Sequence, residues 1–200
     1  MKTKANIEPY IYAIENIDLE AIYKIAETLV NVVRNGGRIF VAGNGGSHAI
    51  AQHFSCDLMK GVGMNSLCCH VINLTDNTAM LTALSNDIGY AHALDMQLEA
   101  AMVCDKDALI TFSVSGNSTN IRNMVEYASG KGELQLISIS GMASNKDIPF
   151  FQTDRILSLR VSTGYPSDSP LHYYAAECAF SVIAHEIARL FHVKQGNYHA

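Results

Sequence analysis

The sequence predicts an α/β protein in which a five-stranded parallel sheet is flanked by helices. Five short apolar runs alternate with stretches whose apolar residues recur at helical spacing, and glycine- or serine-rich turns follow two of the runs. Strands that alternate with helices in this way form a parallel sheet covered on both faces. Of the 200 residues, 48% are hydrophobic and 16% are charged, which suits one well-filled domain over 1–200.

The N-terminal part of the chain is predicted to be helical. Residues 7–16 have weak helical character, and a stronger helix follows Asp18, a residue type that commonly caps helix N-termini. Apolar residues recur at helical spacing from Ile22 to Val33, and Gly36 ends the helix. We predict a helical extension over 1–36 and an α/β core over 37–200.

The predicted core alternates strands and helices in order. The strands are expected at 38–42, 68–72, 108–113, 134–140 and 155–161. The helices are expected at 47–60, 76–85, 89–101, 119–130 and 171–193, with a Ser-Asn-Asp turn at 85–87. Ligands of such sheets bind beyond the carboxyl ends of the strands. The turns at 43–47 and 113–118 are therefore candidate binding loops.

Charge, hydropathy and cysteine content exclude several classes of protein. The formal net charge of −5 argues against a general nucleic-acid binder, which would carry a basic field. The chain contains no run of 18 apolar residues, so no membrane span is predicted, and its N-terminus lacks the apolar core of a secretory signal. Five cysteines (56, 68, 69, 104 and 178) include no CxxC pair, which favours a reduced, cytoplasmic protein. The low fraction of charged residues indicates that other subunits cover part of the surface.

The segment 113–118 (SVSGNS) follows a predicted strand and opens a helix. Three hydroxyls and several backbone N–H groups converge there, where the helix dipole favours an anion. A Walker loop needs a lysine before its serine or threonine, and its absence argues against a nucleotide triphosphatase. The segment suits a phosphate site and also suits an ordinary serine-capped turn, and its residues alone leave both open.

The segment 43–47 (GNGGS) holds two of the three glycines of a dinucleotide-binding turn. His48 stands where the third glycine would be, and Asn73 rather than an acidic residue follows the next strand, so NAD binding is disfavoured. Asn44 and Ser47 are candidates to contact sugar hydroxyls beside the serine loop.

Four side chains of the kinds that bind metals or move protons lie on two predicted helices. His53 and Asp57 are four residues apart and share a helix face. Glu177 and His185 are eight residues apart, a rise of about 12 Å, whereas two donors on one ion lie about 3 to 4 Å apart. Both side chains would have to lean inward, or two subunits would have to supply the ligands. The alternative for each pair is a solvated helix face.

Other candidate ligands are expected to be structural. His192 and His199, near the C-terminus, are predicted at the surface. The methionines at 59, 64, 80 and 96 are predicted to fill the core rather than to bind a metal.

Six segments, taken in order, carry a resemblance that none of them carries alone. They are 43–47 (GNGGS), 51–54 (AQHF), 75–78 with 81–84 (TDNT and LTAL), 86–90 (NDIGY), 113–118 (SVSGNS) and the helix from Glu177 to His185. Together they resemble the sugar isomerase (SIS) phosphosugar-binding family, in particular its phosphoheptose isomerase branch, over essentially the whole chain. The resemblance implies a flavodoxin-like, doubly wound sandwich of five parallel strands. It also implies a homotetramer with active sites at subunit interfaces.

The resemblance implies a role for each matching residue. Ser113, Ser115 and Ser118 would bind the substrate phosphate, and Asn44, Ser47, Asp87 and Glu177 would contact the sugar. Asp57 would be the catalytic base and His185 the catalytic acid. One divalent ion per subunit, zinc, would lie among His53, Asp57, Glu177 and His185.

The reaction implied by the resemblance is an aldose–ketose isomerisation through an enediol. Sedoheptulose 7-phosphate would become D-glycero-D-manno-heptose 7-phosphate, a precursor of heptose-containing surface polysaccharides. Such a reaction needs a positioned base, an acid and stabilisation of the oxyanion.

Several positions depart from the branch and keep alternatives open. Asp57 stands where the branch has glutamate, Glu177 where it has glutamine, Tyr174 where it has aspartate, and Val114 where it often has threonine. One alternative is an isomerase of another phosphorylated sugar. Another is a phosphosugar-binding protein without catalysis, like the family's relative that associates with the bacterial replication initiator. The metal-binding and ionisable groups at all four site positions favour the enzyme.

Overall fold

Strands and helices alternate along the chain as the sequence predicts. The computed structural model describes residues 6–60, 69–132, 134–141 and 156–196. The strands are β1 (Arg38–Gly43), β2 (His70–Asn73), β3 (Ala108–Ser113), β4 (Gln135–Gly141) and β5 (Ile156–Val161). The helices are α1 (Glu8–Glu15), α2 (Leu19–Arg34), α3 (Gly46–Lys60), α4 (Thr78–Ile88), α5 (Asp95–Ala100), α6 (Thr119–Ser129) and α7 (Pro170–Lys194), with a short 3₁₀ turn at Tyr90–His92.

The five strands form one parallel sheet in the order β2-β1-β3-β4-β5. This is the doubly wound order whose switch point lies between the first and third strands, where ligands of such folds bind. β1 and β3 are neighbours in the sheet, so the loops that follow them, 43–47 and 113–118, meet at one edge.

Helices cover both faces of the sheet, and each layer has its own core. α1, α2, α3 and α7 pack on one face around residues that include Leu29, Ile110 and Phe180. α5 and α6 pack on the other face with Leu98 and Leu109. The Asp18 side chain caps α2, as predicted, by accepting a hydrogen bond from the Ala21 N–H at 3.0 Å. The buried face of α2 belongs to the same core as the sheet.

The predicted turn at 85–87 is wrong, and the helix predicted over 89–101 is confirmed only in part, by the 3₁₀ turn and the short α5. α4 continues through these residues to Ile88, and the Ser85 hydroxyl donates to the Leu81 carbonyl inside the helix. The break comes at Gly89, whose φ of +88° favours glycine. Beyond it the chain forms the 3₁₀ turn and the short α5. Residues 68 and 155, at the ends of two predicted strands, lie outside the described residues.

Several apolar side chains predicted in the core lie at the surface. Met59, Met80 and Met96 are exposed, whereas position 64 lies outside the described residues. α4 contains Met80, Leu81 and Ile88, yet none of its residues is buried in the single chain. Within the described ranges, no helix is both long and apolar enough to cross a membrane.

Candidate active site

The loops after β1 and β3 meet in a cleft of about 270 Å³ at the carboxyl edge of the sheet. The lining residues are Asn44–Ser47, Ser113–Ser115, Ser118, Tyr173 and Glu177. The structure therefore brings together two loops that are about 70 positions apart in the sequence. Most of the predicted substrate contacts, six of seven, line this one cleft.

The serine loop presents hydroxyl and N–H groups to the cleft. Ser118 occupies the N-cap position of α6 but makes no side-chain cap hydrogen bond, so it is not an ordinary capping serine. Gly116 has a φ of +61°, which favours glycine and lets the backbone turn sharply between the serines. The Arg122 guanidinium donates to the Asn117 side-chain oxygen at 3.3 Å and adds a positive charge near the loop. These groups and the N-terminus of α6 suit an anion.

The Asn44 side chain is held by two residues from other segments. Its oxygen accepts a hydrogen bond from the Tyr90 hydroxyl at 2.6 Å and one from the Asn120 amide at 2.9 Å. Its own amide donates to the Asn120 oxygen at 2.9 Å. Ser47, at the start of α3, is buried.

Glu177, on α7, places a carboxylate at the junction of α7 with the loop after β1. A Cβ atom added at Gly46 would clash with the Glu177 carboxylate, so a larger residue at this position would require that carboxylate to move. Partial burial raises the pKa of the Glu177 carboxyl. Within the described part of the chain, no hydrogen-bond donor is assigned to that carboxylate. The cleft thus combines a loop that suits an anion with an ionisable acid.

His53, Asp57 and His185 form a compact cluster between α3 and α7. The two histidine Nε2 atoms are 3.0 Å apart, and an Asp57 carboxylate oxygen lies 3.2 Å from His53 Nε2 and 3.7 Å from His185 Nε2. All three donor atoms lie within 4.8 Å of one another. Both imidazoles are largely exposed, so the cluster faces solvent in the single chain.

The cluster fits a divalent ion. Zinc–nitrogen bonds are close to 2.0–2.1 Å in tetrahedral sites, which places two ligand atoms about 3.3 Å apart. The three observed separations bracket that value, and two imidazoles with one carboxylate are a zinc-binding set. Glu177, predicted as a fourth ligand, does not belong to this group of the single chain. Its distance along α7 from His185, about 12 Å of rise, gives the physical reason.

Two further pockets connect the serine cleft to the cluster. A pocket of about 470 Å³ shares Gly46 and Glu177 with the serine cleft, and it is also lined by Ile50 and Ser181. A third pocket, of about 280 Å³, shares Ile50 and Ser181 and contains His53 and His185. The three pockets adjoin one another at these shared residues, and together they are defined here as the α3–α7 groove, which runs from the serine loop to the cluster.

The structure shows the positions of three further residues that the sequence analysis named. Asp87, a predicted substrate contact, is exposed at the end of α4, where it accepts a hydrogen bond from Asn86, and it does not line the groove in the single chain. His192 is 3% exposed rather than at the surface, and its Nε2 atom donates to the Asp57 carbonyl at 2.9 Å. Tyr174 is exposed and lines the middle pocket. Residue 199 lies outside the described residues.

The sequence contained a weak signal for Tyr90 and none for Asn120 or His192. Tyr90 lies in the 86–90 segment that carries part of the family resemblance, although no role was assigned to it. Asn120 and His192 look like ordinary helical residues, because only the tertiary structure brings them to Asn44 and Asp57.

Comparisons with known proteins match most of the chain. A sequence profile of the SIS domain matches residues 4–141. The chain is 31% identical over 174 residues to the phosphoheptose isomerase of Aneurinibacillus thermoaerophilus, covering 82% of this chain and 86% of that protein. The structure of a phosphoheptose isomerase from Francisella tularensis matches with a TM-score of 0.78 and 29% identity, over 92% of this chain and 91% of that one. The corresponding structure from Neisseria gonorrhoeae matches over the same shares, with a TM-score of 0.75 and 26% identity.

Proposed function

The chain belongs to the SIS domain family, and we propose that it is an aldose–ketose isomerase that converts sedoheptulose 7-phosphate to D-glycero-D-manno-heptose 7-phosphate. The α3–α7 groove is the observation that carries the proposal. It joins an anion-binding loop to a cluster of two histidines and a carboxylate. An extended sugar phosphate has a phosphate at one end and the reacting carbonyl at the other. It would lie along the groove with the phosphate at the serine loop and the carbonyl at the cluster.

The serine loop would hold the phosphate. Ser113, Ser115 and Ser118 line the cleft, and the first turn of α6 directs its N–H groups and its dipole toward an anion. Binding energy from the phosphate, which does not react, would then orient the reacting end of the sugar.

Asp57 and His185 would move the protons. Asp57 would take the proton from C1 of the ketose and return it to C2, while His185 would supply a proton to O2 as O1 loses its own. The carboxylate oxygen and the imidazole Nε2 are 3.7 Å apart, so both reach adjacent atoms of one substrate. The enediol forms and collapses without net gain or loss of protons.

His53, Asp57 and His185 would hold the divalent ion, most simply zinc. When bound, the ion would act as a Lewis acid that polarises the oxygens of the sugar. Asp57 has two carboxylate oxygens, so one can bind an ion while the other accepts a proton. Nε2 of His185 cannot carry a proton and bind an ion at once, so activity measured against zinc content separates its two roles.

A phosphosugar-binding protein without turnover is the second candidate function. The side chain of Asp57 favours it, because a base one methylene shorter than the branch's glutamate works against fast catalysis. Asp57, His185 and His53 in one cluster favour the enzyme.

A direct assay separates these functions. Sedoheptulose 7-phosphate and, in parallel, pentose and hexose phosphates are incubated with the zinc-loaded protein, and products are identified by NMR. We expect an aldoheptose phosphate from the first substrate and much slower conversion of the others. Preferred turnover of a shorter sugar would reassign the substrate, and saturable binding without turnover would support the second candidate.

Serine variants test the phosphate end. Removal of the Ser118 hydroxyl should weaken sugar-phosphate binding about 5- to 150-fold, the cost of losing a hydrogen bond to a charged group. Calorimetry on Ser118→Ala measures this, with Ser129→Ala as the control because its hydroxyl bonds only the Val125 carbonyl near the end of α6. Unchanged affinity in the alanine variants of Ser113, Ser115 and Ser118 alike would place the phosphate elsewhere.

The active form is proposed to be a homotetramer with active sites at subunit interfaces. α4 has an apolar composition but no buried residue in the single chain; its last residue, Ile88, is exposed, and so is Tyr90 just beyond it. A second copy that covers α4 would bury these side chains. Light scattering should give the mass of four chains, and a fully active monomer at micromolar concentration would contradict the proposal.

We also propose that the protein acts in the cytoplasm. Cys56, Cys69, Cys104 and Cys178 have free thiols, which suits a reducing compartment. Fractionation of cells that express the protein would test the location.

A further inference from the structure

The Asn44 side chain is the meeting point of three segments that are distant in the sequence. Asn44 follows β1, Asn120 lies two residues beyond Ser118 in the first turn of α6, and Tyr90 opens the 3₁₀ turn after α4. Their three hydrogen bonds, at 2.6, 2.9 and 2.9 Å, link the loop after β1 to the helix that carries the serine loop.

The hydrogen bonds leave Asn44 one way to contact a ligand. An asparagine side chain has an oxygen with two acceptor positions and an amide with two N–H donors. Tyr90 and Asn120 occupy both acceptor positions, and Asn120 takes one N–H. The remaining N–H belongs to a side chain that lines the serine cleft. Asn44 is therefore restricted to donating a hydrogen bond to an oxygen of the ligand.

The two partners of Asn44 differ in their surroundings. Asn120 is 3% exposed and does not line the cleft, and its side chain is hydrogen-bonded to Asn44, which does line it. Tyr90 is exposed, so its hydroxyl can be removed with little disturbance of the core.

We propose that Asn120 and Tyr90 are positioning residues that fix the Asn44 amide at a set distance from the serine loop, so that it donates to a sugar oxygen of a phosphate-anchored substrate. This inference rests on the proposed function. A side chain held by neighbours loses less entropy when the substrate binds and keeps the reacting atoms aligned. The hydrogen bonds from Tyr90 and Asn120 to Asn44 are called the Asn44 clamp below. Loss of this clamp should weaken interactions with the sugar and leave phosphate binding unchanged.

A double-mutant cycle tests the clamp. Tyr90→Phe should lower kcat/KM for sedoheptulose 7-phosphate about 3- to 10-fold, the worth of one hydrogen bond. In the Asn44→Ala background the same substitution should change kcat/KM less than twofold, because the residue that it positions is gone. The inhibition constant of inorganic phosphate, measured as a competitive inhibitor, should be the same in Tyr90→Phe as in the wild type. Tyr127→Phe, on α6, is the matched control and should leave all values unchanged.

Equal losses in the two backgrounds would show that Tyr90 acts independently of Asn44 and would overturn the clamp. Asn120→Asp gives a second test, because it keeps the oxygen that accepts from Asn44 but removes the N–H that donates to it. This variant should lower kcat/KM more in the wild type than in Asn44→Ala. Equal effects would again contradict the inference.

A measurement without substrate separates failure of the clamp from failure of the proposed function. In NMR spectra of the labelled protein, Tyr90→Phe should shift the side-chain amide signals of Asn44 and speed their exchange with water. The amide of Asn16, which donates to the Tyr12 carbonyl at the end of α1, serves as the internal reference. Unchanged Asn44 signals would overturn the clamp, whereas shifted signals without turnover by the wild type would contradict only the proposed function.

Discussion

Asp107 and Glu177 lie toward opposite ends of β3, and their pKa values shift in opposite directions. Asp107 directly precedes β3 and is 1% exposed. Burial alone would raise the pKa of its carboxyl, but hydrogen bonds from the Arg38 side chain and from the N–H groups of Arg38 and Cys104 outweigh burial and lower it. Glu177 lines the cleft beyond the other end of β3, and there partial burial raises the pKa of its carboxyl. Among the described residues, no hydrogen bond to this carboxylate offsets the effect of burial.

The difference separates a structural end of the sheet from the end that holds the candidate active site. The Arg38 guanidinium also donates to the carbonyls of Ala101 and Met102. The charged groups at the amino end of the sheet therefore bond to one another and to the nearby backbone, which they hold in place. At the carboxyl end, Ser118 makes no cap bond and the histidines of the cluster face solvent. Polar groups whose hydrogen-bonding or metal-binding capacity is not used up within the protein are available to bind a ligand.

The largest effect that separates the two ends is expected in the cluster of His53, Asp57 and His185, the proposed metal site. The double variant His53→Ala/His185→Ala should lose stoichiometric zinc, because one carboxylate remains of the three donors. Thermal stability of the metal-free protein should stay the same, since both side chains are largely exposed. Elemental analysis after purification without chelator measures the zinc, with His92→Ala as a control outside the cluster. One zinc per chain in the double variant would contradict the assignment.

The next largest effect is expected at the amino end, on stability instead of function. Asp107→Asn should lower the free energy of unfolding by about 2–4 kcal/mol, because it leaves the Arg38 charge without its partner. Denaturant unfolding measures this, and kcat should be unchanged at a temperature where the variant is folded. Glu20→Gln, in an exposed pair with Lys24, is the control and should leave the midpoint unchanged.

The lowered pKa of Asp107 also determines how folding stability changes with pH. A carboxyl whose folded pKa is below its unfolded value stabilises the fold above the unfolded value, about 4, and loses that contribution as the pH falls through the folded pKa. Asp107→Asn should therefore flatten the acid limb of the stability curve below pH of about 4. An acid limb as steep as that of the wild type would contradict the role of this pair.

The smallest effect is expected from Glu177→Gln. The pKa of the Glu177 carboxyl is raised in the folded protein. Its contribution to folding stability is therefore complete below the pKa of the unfolded chain, about 4.3, and is lost as the pH rises through the folded pKa. The glutamine variant should therefore gain stability relative to the wild type between pH of about 5 and 8. Unfolding of chelator-treated protein measures this, and a variant less stable than the wild type across that range would show that the carboxylate has a stabilising partner.

The sequence predicted most of the fold because local signals were strong. The five strands are short apolar runs, and α2 has both a capping residue and an apolar stripe that the structure confirms. The helix predicted over 89–101 is confirmed only in part, and the turn predicted at 85–87, where Ser-Asn-Asp is a frequent turn composition, is wrong. There the Ser85 hydroxyl bonds inside α4, and the conformation of Gly89 ends the helix.

The site was predictable as far as its residues belong to recognisable motifs. His53 and Asp57 share a helix face by spacing alone, but their contact with His185 depends on the packing of α3 against α7. Glu177 lies apart from them because eight residues of helix separate it from His185. The bonds of Asn120 to Asn44 and of His192 to the Asp57 carbonyl join distant parts of the chain, which no local pattern encodes.

Solvent exchange in the Asp57→Asn variant tests most directly whether the α3–α7 groove catalyses isomerisation. Sedoheptulose 7-phosphate is incubated in D₂O with wild type and variant at equal zinc content, and NMR follows deuterium at the carbons that exchange the proton. We predict incorporation by the wild type and by Asp57→Glu, which restores a longer carboxylate. Asp57→Asn keeps the shape of the side chain but not the base, and it should give no incorporation above the enzyme-free rate. Exchange by Asp57→Asn at the wild-type rate would contradict the account.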